Sequence, residues 1–215
     1  MIIGGPALTK YNDRTLKDLT TAPASVPSSP GALVHIKTLT ASSSSTLSFV
    51  NGSSDVVLDN TYPIYQFEFI NIHPSADGSF LQFNFSADSG SNYNVTKTTT
   101  VFNANHNEAG TSSTLGYRSS DDLAQSTSPQ ILNTDSGADN DQSTSGEMFL
   151  FNPSSTTFIK HFITNTNFSQ LNDLTMNFFT AGYGNTTSAI NAVQFSQASG
   201  NIDNGKIKLF GIKDA

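Results

Sequence analysis

The feature that most constrains this chain is a two-residue alternation of apolar and polar side chains, which recurs in short segments from residue 32 onward. Such alternation is typical of β-strands, and Ser, Asn, Asp and Gly mark the turns between them. Helical periodicity is nearly absent. The sequence therefore predicts an all-β fold, an antiparallel β-sandwich of jelly-roll type with an extended N-terminal arm. We expect strands at residues 32–40, 46–50, 64–72, 79–87, 147–152, 157–164, 174–181, 189–197 and 206–212.

Two segments between these strands lose the alternation and become rich in Ser, Thr, Asp and Gly, at residues 103–128 and 133–146. Loops of this length in a compact domain are usually functional or mobile. The chain has no tryptophan, so tyrosines in or near loops are its candidates for stacking against a sugar ring. We interpret Tyr93, Tyr117 and Tyr183 as these candidate ligand-loop residues.

The N-terminal segment differs in composition from the rest of the chain. Three prolines lie among small residues in "TAPASVPSSPG", a mixture that favours extended chain with little apolar surface of its own. We predict an arm at residues 1–31 and one jelly-roll domain at residues 32–215, and we expect the arm to anchor on a neighbouring subunit. Its expected anchoring residues are Pro6, Tyr11, Leu16, Pro23, Pro27 and Pro30.

Composition narrows the classes of partner and compartment. The formal net charge is -7, which opposes binding to a phosphate backbone, so we expect no nucleic-acid partner. No run of about 18 apolar residues suggests a membrane span, and the first residues lack the apolar segment of a signal peptide. There is no cysteine, so packing alone must hold the fold. We expect synthesis and assembly in a cytoplasm.

No motif nominates a catalytic or metal site. The four histidines are isolated from one another, and no serine lies in a G-x-S-x-G pattern. Glycoside hydrolysis needs two carboxylates in one cleft, and the three glutamates are Glu68, Glu108 and Glu147. The acidic segment "DSGADNDQSTSGE" is the best calcium candidate, although it departs from the EF-hand pattern. We favour a protein that is not an enzyme and has no cofactor.

The stretch "GNIDNGKIKLFGIK" is the most informative motif. We expect Ile207 and Leu209 to enter the core, Lys206 and Lys208 to face water, and two glycines, Gly205 and Gly211, to permit turns at either end of the strand. The strand resembles the closing strand of virion structural proteins from tailed bacteriophages, especially marine ones, whose chains often end in G-x-I-x-L-Y/F-G-I. The resemblance extends upstream through "GALVHIKTLTASSSSTLSFV", "YPIYQFEFINIHPSADGSFLQFNFS", "FNP" and "AINAVQFSQASGNI".

That resemblance implies a non-enzymatic virion protein, a surface jelly-roll module in capsid decoration or in fibre or tail attachment. Its partners would be major capsid, tail or fibre subunits, and a homo-oligomer is expected, for which a trimer is a suitable state. The location implied is the virion, assembled in the host cytoplasm. Two other functions stay open: an adhesin for a host receptor or glycan, using the loops and tyrosines, and a glycan-degrading enzyme using paired carboxylates.

Overall fold

Two antiparallel sheets packed face to face make up the computed structural model, which describes residues 32–214. No helix occurs within this range. The strands of its first half are β1 (Leu33–Thr40), β2 (Thr46–Val50), β3 (Ile64–Pro74), β4 (Leu81–Ser86), β5 (Lys97–Asn107) and β6 (Ser113–Tyr117). Those of its second half are β7 (Gln130–Ile131), β8 (Thr144–Phe151), β9 (Lys160–Gln170), β10 (Leu174–Gly184), β11 (Ala192–Gln197) and β12 (Ile202–Ile212).

The strand pairing is that of a jelly roll. The wide sheet has the order β1-β12-β3-β8-β9-β10-β5-β6, and the narrow sheet has the order β2-β11-β4-β7. Four antiparallel pairs are nested: β1 with β12, β2 with β11, β3 with β8, and β4 with β7. A long hairpin wound into two sheets produces this nesting. The predicted β-sandwich of jelly-roll type is therefore confirmed.

Two hairpins inserted into the jelly roll widen one sheet only. The β5–β6 hairpin follows β4, the β9–β10 hairpin follows β8, and together they extend the wide sheet by four strands beyond β8. Residues 118–143 cover the inner face of this extension. Backbone hydrogen bonds from Thr99 N to Leu123 O (2.9 Å) and from Leu132 N to Leu81 O (2.7 Å) hold that cover to both sheets.

All nine predicted strands overlap strands of the structure, but the two predicted loops are partly wrong. Residues 103–128 contain the end of β5 and all of β6, and β8 begins at Thr144 inside the second segment. The inward face of β5 carries Lys97, Thr99 and Asn103, and β6 is exposed along its whole length. Neither strand therefore shows the apolar alternation on which the prediction depended.

Phenylalanine rings fill the space between the two sheets. Phe195 of β11 contacts four other rings, those of Phe49, Phe67, Phe69 and Phe83, with centroid separations of 5.3–6.4 Å. Most of these pairs are edge-to-face, the geometry that the ring quadrupole favours. These rings are buried, so the narrow sheet is attached to the wide one mainly by aromatic packing.

The closing strand β12 behaves as expected in its side chains but not in its glycines. Ile207 and Leu209 are fully buried and Lys206 is exposed. Gly205 and Gly211 lie inside the strand rather than at turns. Gly205 has φ +111°, and a Cβ there would lie 2.5 Å from the carbonyl oxygen of Asn71, at a β-bulge. A Cβ at Gly211 would overlap the ring of Tyr62.

The predicted arm, residues 1–31, lies outside the described residues, and so do its expected anchoring residues Pro6, Tyr11, Leu16, Pro23, Pro27 and Pro30.

Replacing Phe195 by Ala should destabilise the domain strongly, because it removes the ring that four others contact. We expect Phe195→Ala to lower the free energy of unfolding by about 3–5 kcal/mol. Urea unfolding followed by far-UV circular dichroism measures this, since the chain has no tryptophan to report by fluorescence. Phe158→Ala is the matched control, because Phe158 is 69% exposed and its loss should change stability by no more than about 0.5 kcal/mol. Equal effects of the two substitutions would contradict the described core.

Candidate functional site

The outward face of the narrow sheet is polar, as expected of a sheet surface in water. Gln194 donates to Ser48 (3.0 Å), and Gln82 donates to Ser196 (3.2 Å). These side chains alternate with the buried phenylalanines of the same strands. This face needs nothing to cover it.

The outward face of the wide sheet is different, because apolar side chains run across it from β1 to β6. Five of the seven large apolar residues that are exposed within residues 32–214 lie on this face. We call the apolar set the outer band, and it consists of Leu33, Ile64, Phe102, Leu115, Tyr117, Phe149, Phe151, Ile163, Phe179, Tyr183, Phe210 and Ile212.

Strand register builds the outer band from residues that are far apart in sequence. Leu33, Ile212, Ile64 and Phe151 form one row across β1, β12, β3 and β8. Aromatic rings of the band also stack in pairs. The ring centroids of Phe102 and Phe179, which are cross-strand partners, are 5.0 Å apart with the rings nearly parallel, and those of Phe149 and Phe151 on β8 are 6.5 Å apart. Stacked rings leave broad apolar surfaces in contact with solvent.

A shallow apolar groove of about 460 Å³ lies within the outer band. Its floor is formed by small side chains, Ala181 on β10 and Thr100 on β5, and its walls include Ile163. His161 and Tyr183, 6.0 Å apart and edge-to-face, close one end. The groove has the dimensions and the chemistry to accept apolar side chains of an extended segment.

Two carboxylates lie side by side at the centre of the same face. Glu68 on β3 is the direct cross-strand partner of Glu147 on β8, and both line a cavity of about 350 Å³ together with Asn165, Asn167 and Asn177. The Gln66 side chain donates to Glu147 (2.9 Å). Lys208 lies opposite Glu68 on β12, yet within residues 32–214 no ion pair joins either glutamate to a cation. Like charges in directly opposed positions destabilise a sheet.

The three tyrosines predicted to contact a ligand do not form one site. Tyr117 on β6 and Tyr183 on β10 share the outer face of the wide sheet, and the Tyr117 hydroxyl donates to Asp122. Tyr93 lies elsewhere, in the connection after β4, where its ring packs beside Gly90 and near Val50 of the narrow sheet.

The predicted paired carboxylates and calcium ligands are dispersed. Glu108 lies in the turn after β5, beside a separate cavity of about 320 Å³ that Asp139, Asp141 and Asp173 also line. Among residues 32–214, no three His, Asp or Glu side chains come close enough together to hold one metal ion. Of the three glutamates, only Glu68 and Glu147 are brought together.

The aromatic residues of the outer band were missed as a site, although the sequence contains a signal for them. The segment "MFLF" is continuously apolar, with Met148 and Leu150 facing the core and Phe149 and Phe151 facing outward. A continuous apolar run in a strand indicates cover on both faces. The Glu68–Glu147 pair gives no such signal, since it depends on the register between β3 and β8.

Two lysines are buried on the inner face of the extension. Lys97 on β5 and Lys160 on β9 both oppose Gly184 of β10, and neither ammonium contacts a carboxylate of residues 32–214. Lys97 Nζ donates to the Asn84 side chain (2.5 Å) and to Val95 O (2.9 Å), while Lys160 Nζ donates to Phe158 O (2.8 Å) and Thr186 O (3.0 Å). Burial lowers the pKa of Lys97 to about 8 and also lowers the pKa of Lys160.

The lowered pKa of Lys97 predicts a specific dependence of stability on pH. Because the folded pKa, about 8, lies below the unfolded value of 10.5, the unfolded chain binds more protons between these values. The free energy of unfolding should therefore rise by about 3 kcal/mol from pH 8 to pH 10.5 through this one group. Urea unfolding across this range measures the rise. Lys97→Met should remove that contribution, whereas Lys206→Met, at an exposed position, should keep it. An unchanged slope in Lys97→Met would contradict the burial of the amine.

Comparison with known proteins gives no relative for this chain. No family model, no curated protein and no solved structure matches it. Within the described residues, no helix is long enough and apolar enough to cross a membrane.

Proposed function

We propose that this protein is a non-enzymatic structural protein of a bacteriophage virion. In this proposal it is a surface jelly-roll module, in capsid decoration or in fibre or tail attachment, and its N-terminal arm anchors it. Its partners are other virion proteins, the major capsid or the tail and fibre subunits. It acts as a homo-oligomer, with a trimer as a suitable state, and is assembled into virions in the host cytoplasm.

The observation that carries this proposal is the outer band. Soluble monomers rarely leave a contiguous apolar patch of many side chains in water, and such patches mark interaction surfaces. The other outward face of the same sandwich is polar, so the band is a property of one side of the molecule rather than of its overall composition. A particle subunit has a reason to carry such a side, because its neighbours cover it.

Two further features support the proposal. The closing strand, with Gly205, Ile207, Leu209, Phe210, Gly211 and Ile212, resembles that of virion proteins from tailed bacteriophages. The first strand of the jelly roll, β1, also lies at an edge of the wide sheet, and the proline-containing segment of residues 1–31 precedes it in the sequence. An arm that adds main-chain hydrogen bonds to a neighbour, repeated through a symmetric assembly, gives attachment by avidity.

Removing the arm should separate folding from assembly. We expect a chain lacking residues 1–30 to keep the circular dichroism spectrum and urea midpoint of the whole chain, because the twelve strands that form the sandwich within residues 32–214 pair and pack with one another. The same chain should be absent from purified particles. Quantitative mass spectrometry of the virions gives the copy number, and hundreds of copies would indicate capsid decoration whereas roughly a few dozen or fewer would indicate tail or fibre. Incorporation at normal occupancy without the arm would refute the anchoring role.

A second candidate function is an adhesin that binds a host receptor or glycan. The observation that favours it is the wide sheet's outer face, which carries Tyr117 and Tyr183 and also a cavity lined by Asn165, Asn167 and Asn177. Aromatic rings and carboxamides together are suited to sugar rings and hydroxyl groups.

The adhesin function makes a separate prediction. If it is right, Tyr117→Ala with Tyr183→Ala should lower glycan-array signals and phage adsorption by about tenfold or more, because stacking area is lost. Tyr93→Ala is the matched control, since Tyr93 lies beside the narrow sheet. A silent glycan array together with unchanged adsorption would exclude this function and leave the structural one.

A further inference from the structure

We propose that the outer band is the docking surface for residues 1–22 of a neighbouring copy of this chain, with basic side chains of that segment facing Glu68 and Glu147. This inference rests on the proposed function, in which the N-terminal arm is the anchor, and it names the surface and the partner of that anchor.

The first described residues of the sandwich lie at a corner of the outer band. The carbonyl of Ala32 accepts a hydrogen bond from Lys213 N (2.9 Å), and Leu33 is the first residue of the edge strand β1. Leu33 also starts the row of the outer band that continues through Ile212 and Ile64. The arm therefore joins the domain directly beside the surface that lacks cover.

The direction of β1 argues for a neighbour rather than for the chain's own face. β1 runs from this row toward Thr40, so an extended segment that continued the line of β1 before Leu33 would pass the end of the sheet instead of crossing its own outer face. The sequence just before it carries Pro23, Pro27 and Pro30, a composition that favours extended chain. Eight residues of polyproline-type chain span about 25 Å.

Length allows the remaining residues to cross the face. An extended segment of 22 residues reaches about 70 Å. Eight strands at about 4.8 Å spacing make a sheet about 34 Å wide. The segment therefore has more than the length needed to follow the outer band from one edge of the wide sheet to the other.

The chemistry of the segment is complementary to the outer band. Its apolar residues include Ile2, Ile3, Leu8, Leu16 and Leu19, which match apolar rows and the shallow groove around Ala181. Its charged residues, in order, are Lys10, Asp13, Arg14, Lys17 and Asp18, a net charge of +1. Since the whole chain carries -7, residues 32–215 carry -7 - 1 = -8.

The glutamate pair supplies the specific contact. Glu68 and Glu147 lie in the middle of the face and have no ion-pair partner within residues 32–214. A Lys or Arg from the segment, over the pair, would relieve the repulsion between the two carboxylates. A second copy packed face to face by a two-fold axis through this pair would instead bring two such pairs toward each other, and compared with that arrangement the charge complementarity favours the segment.

The absence of cysteine makes a site-specific test practical. Full-length chains carrying Leu16→Cys are mixed with full-length chains carrying Ile163→Cys, which is at the centre of the outer band, and are linked with a short bismaleimide. We expect a linked dimer of the two different chains. Ser48→Cys, on the polar face of the narrow sheet, is the matched control and should give no such dimer. Circular dichroism checks that each variant is folded.

Charge variants test the glutamate contact in the same assay. Glu147→Lys in the Ile163→Cys chain should lower the yield of the linked dimer by about tenfold, and Glu147→Gln by less. Asp141→Lys, which makes the same charge change at an exposed position off the band, should leave it unchanged. In the Leu16→Cys chain, replacing Lys10, Arg14 and Lys17 by Glu reverses the charge of the segment. When this chain is mixed with the Ile163→Cys chain that carries Glu147→Lys, the yield of linked dimer should be restored.

Several outcomes would overturn the inference. One is a link that forms only within a single chain that carries both Leu16→Cys and Ile163→Cys. Another is a link that forms only between two Ile163→Cys chains, and a third is the absence of any link to the outer band. The last is a yield of linked dimer that Glu147→Lys does not change. Failure of the proposed function is seen separately, as absence of the protein from purified virions. Linked dimers of a protein that virions lack would preserve the docking surface and refute the virion role.

Discussion

The difference in width between the two sheets is the constraint on which the rest of this structure depends. A jelly roll pairs four strands with four, and here two inserted hairpins extend only the sheet that contains β8. Phe162 of β9 still packs against Phe83 and Phe85 of the narrow sheet, but much of the added half of the wide sheet has no sheet opposite it. Residues 118–143 must cover its inner face, and an irregular segment brings backbone polar groups into contact with a buried surface.

The inner face of the extension is polar, so its side chains can form hydrogen bonds with residues 118–143, which cover it. Thr99 donates to Gln130 (2.7 Å), Asn133 donates to Thr144 (2.7 Å) and Thr166 donates to Leu132 O, so many side chains of the wide sheet and of the cover bond to each other. Within residues 32–214 the buried hydroxyls of Ser136, Thr164 and Thr180 have no such partner. Only a small apolar cluster, of Val101, Phe168, Met176 and Phe178, lies beneath. The buried Lys97 and Lys160 belong to the same arrangement, because their long stems fill space beside Gly184 while carbonyl and carboxamide oxygens accept from their amines.

This division also explains how much of the fold the sequence predicts. Strands between two sheets alternate clearly, because a phenylalanine-rich core needs apolar side chains at every second position, as in Leu81, Phe83 and Phe85. Strand β5 faces a polar cover, and so its inward residues are Lys, Thr and Asn and its pattern is hidden. The same reasoning limits prediction of the site. Phe149 and Phe151 are visible as part of a continuous apolar run, whereas the meeting of Glu68 with Glu147 follows from register across about 80 residues of chain, which no local pattern encodes.

The two unusual features of the outer face have a common physical explanation. An uncovered apolar band lowers solubility, and opposed like charges lower stability, so each is unfavourable to an isolated domain. Contact with a partner reverses both effects, since burial stabilises the apolar side chains and a cation between the carboxylates converts repulsion into attraction. The acids then contribute selectivity, because a purely apolar partner would leave them desolvated and unpaired. A face that carries an apolar band beside a pair of acids therefore favours an occupant that has both apolar and basic side chains.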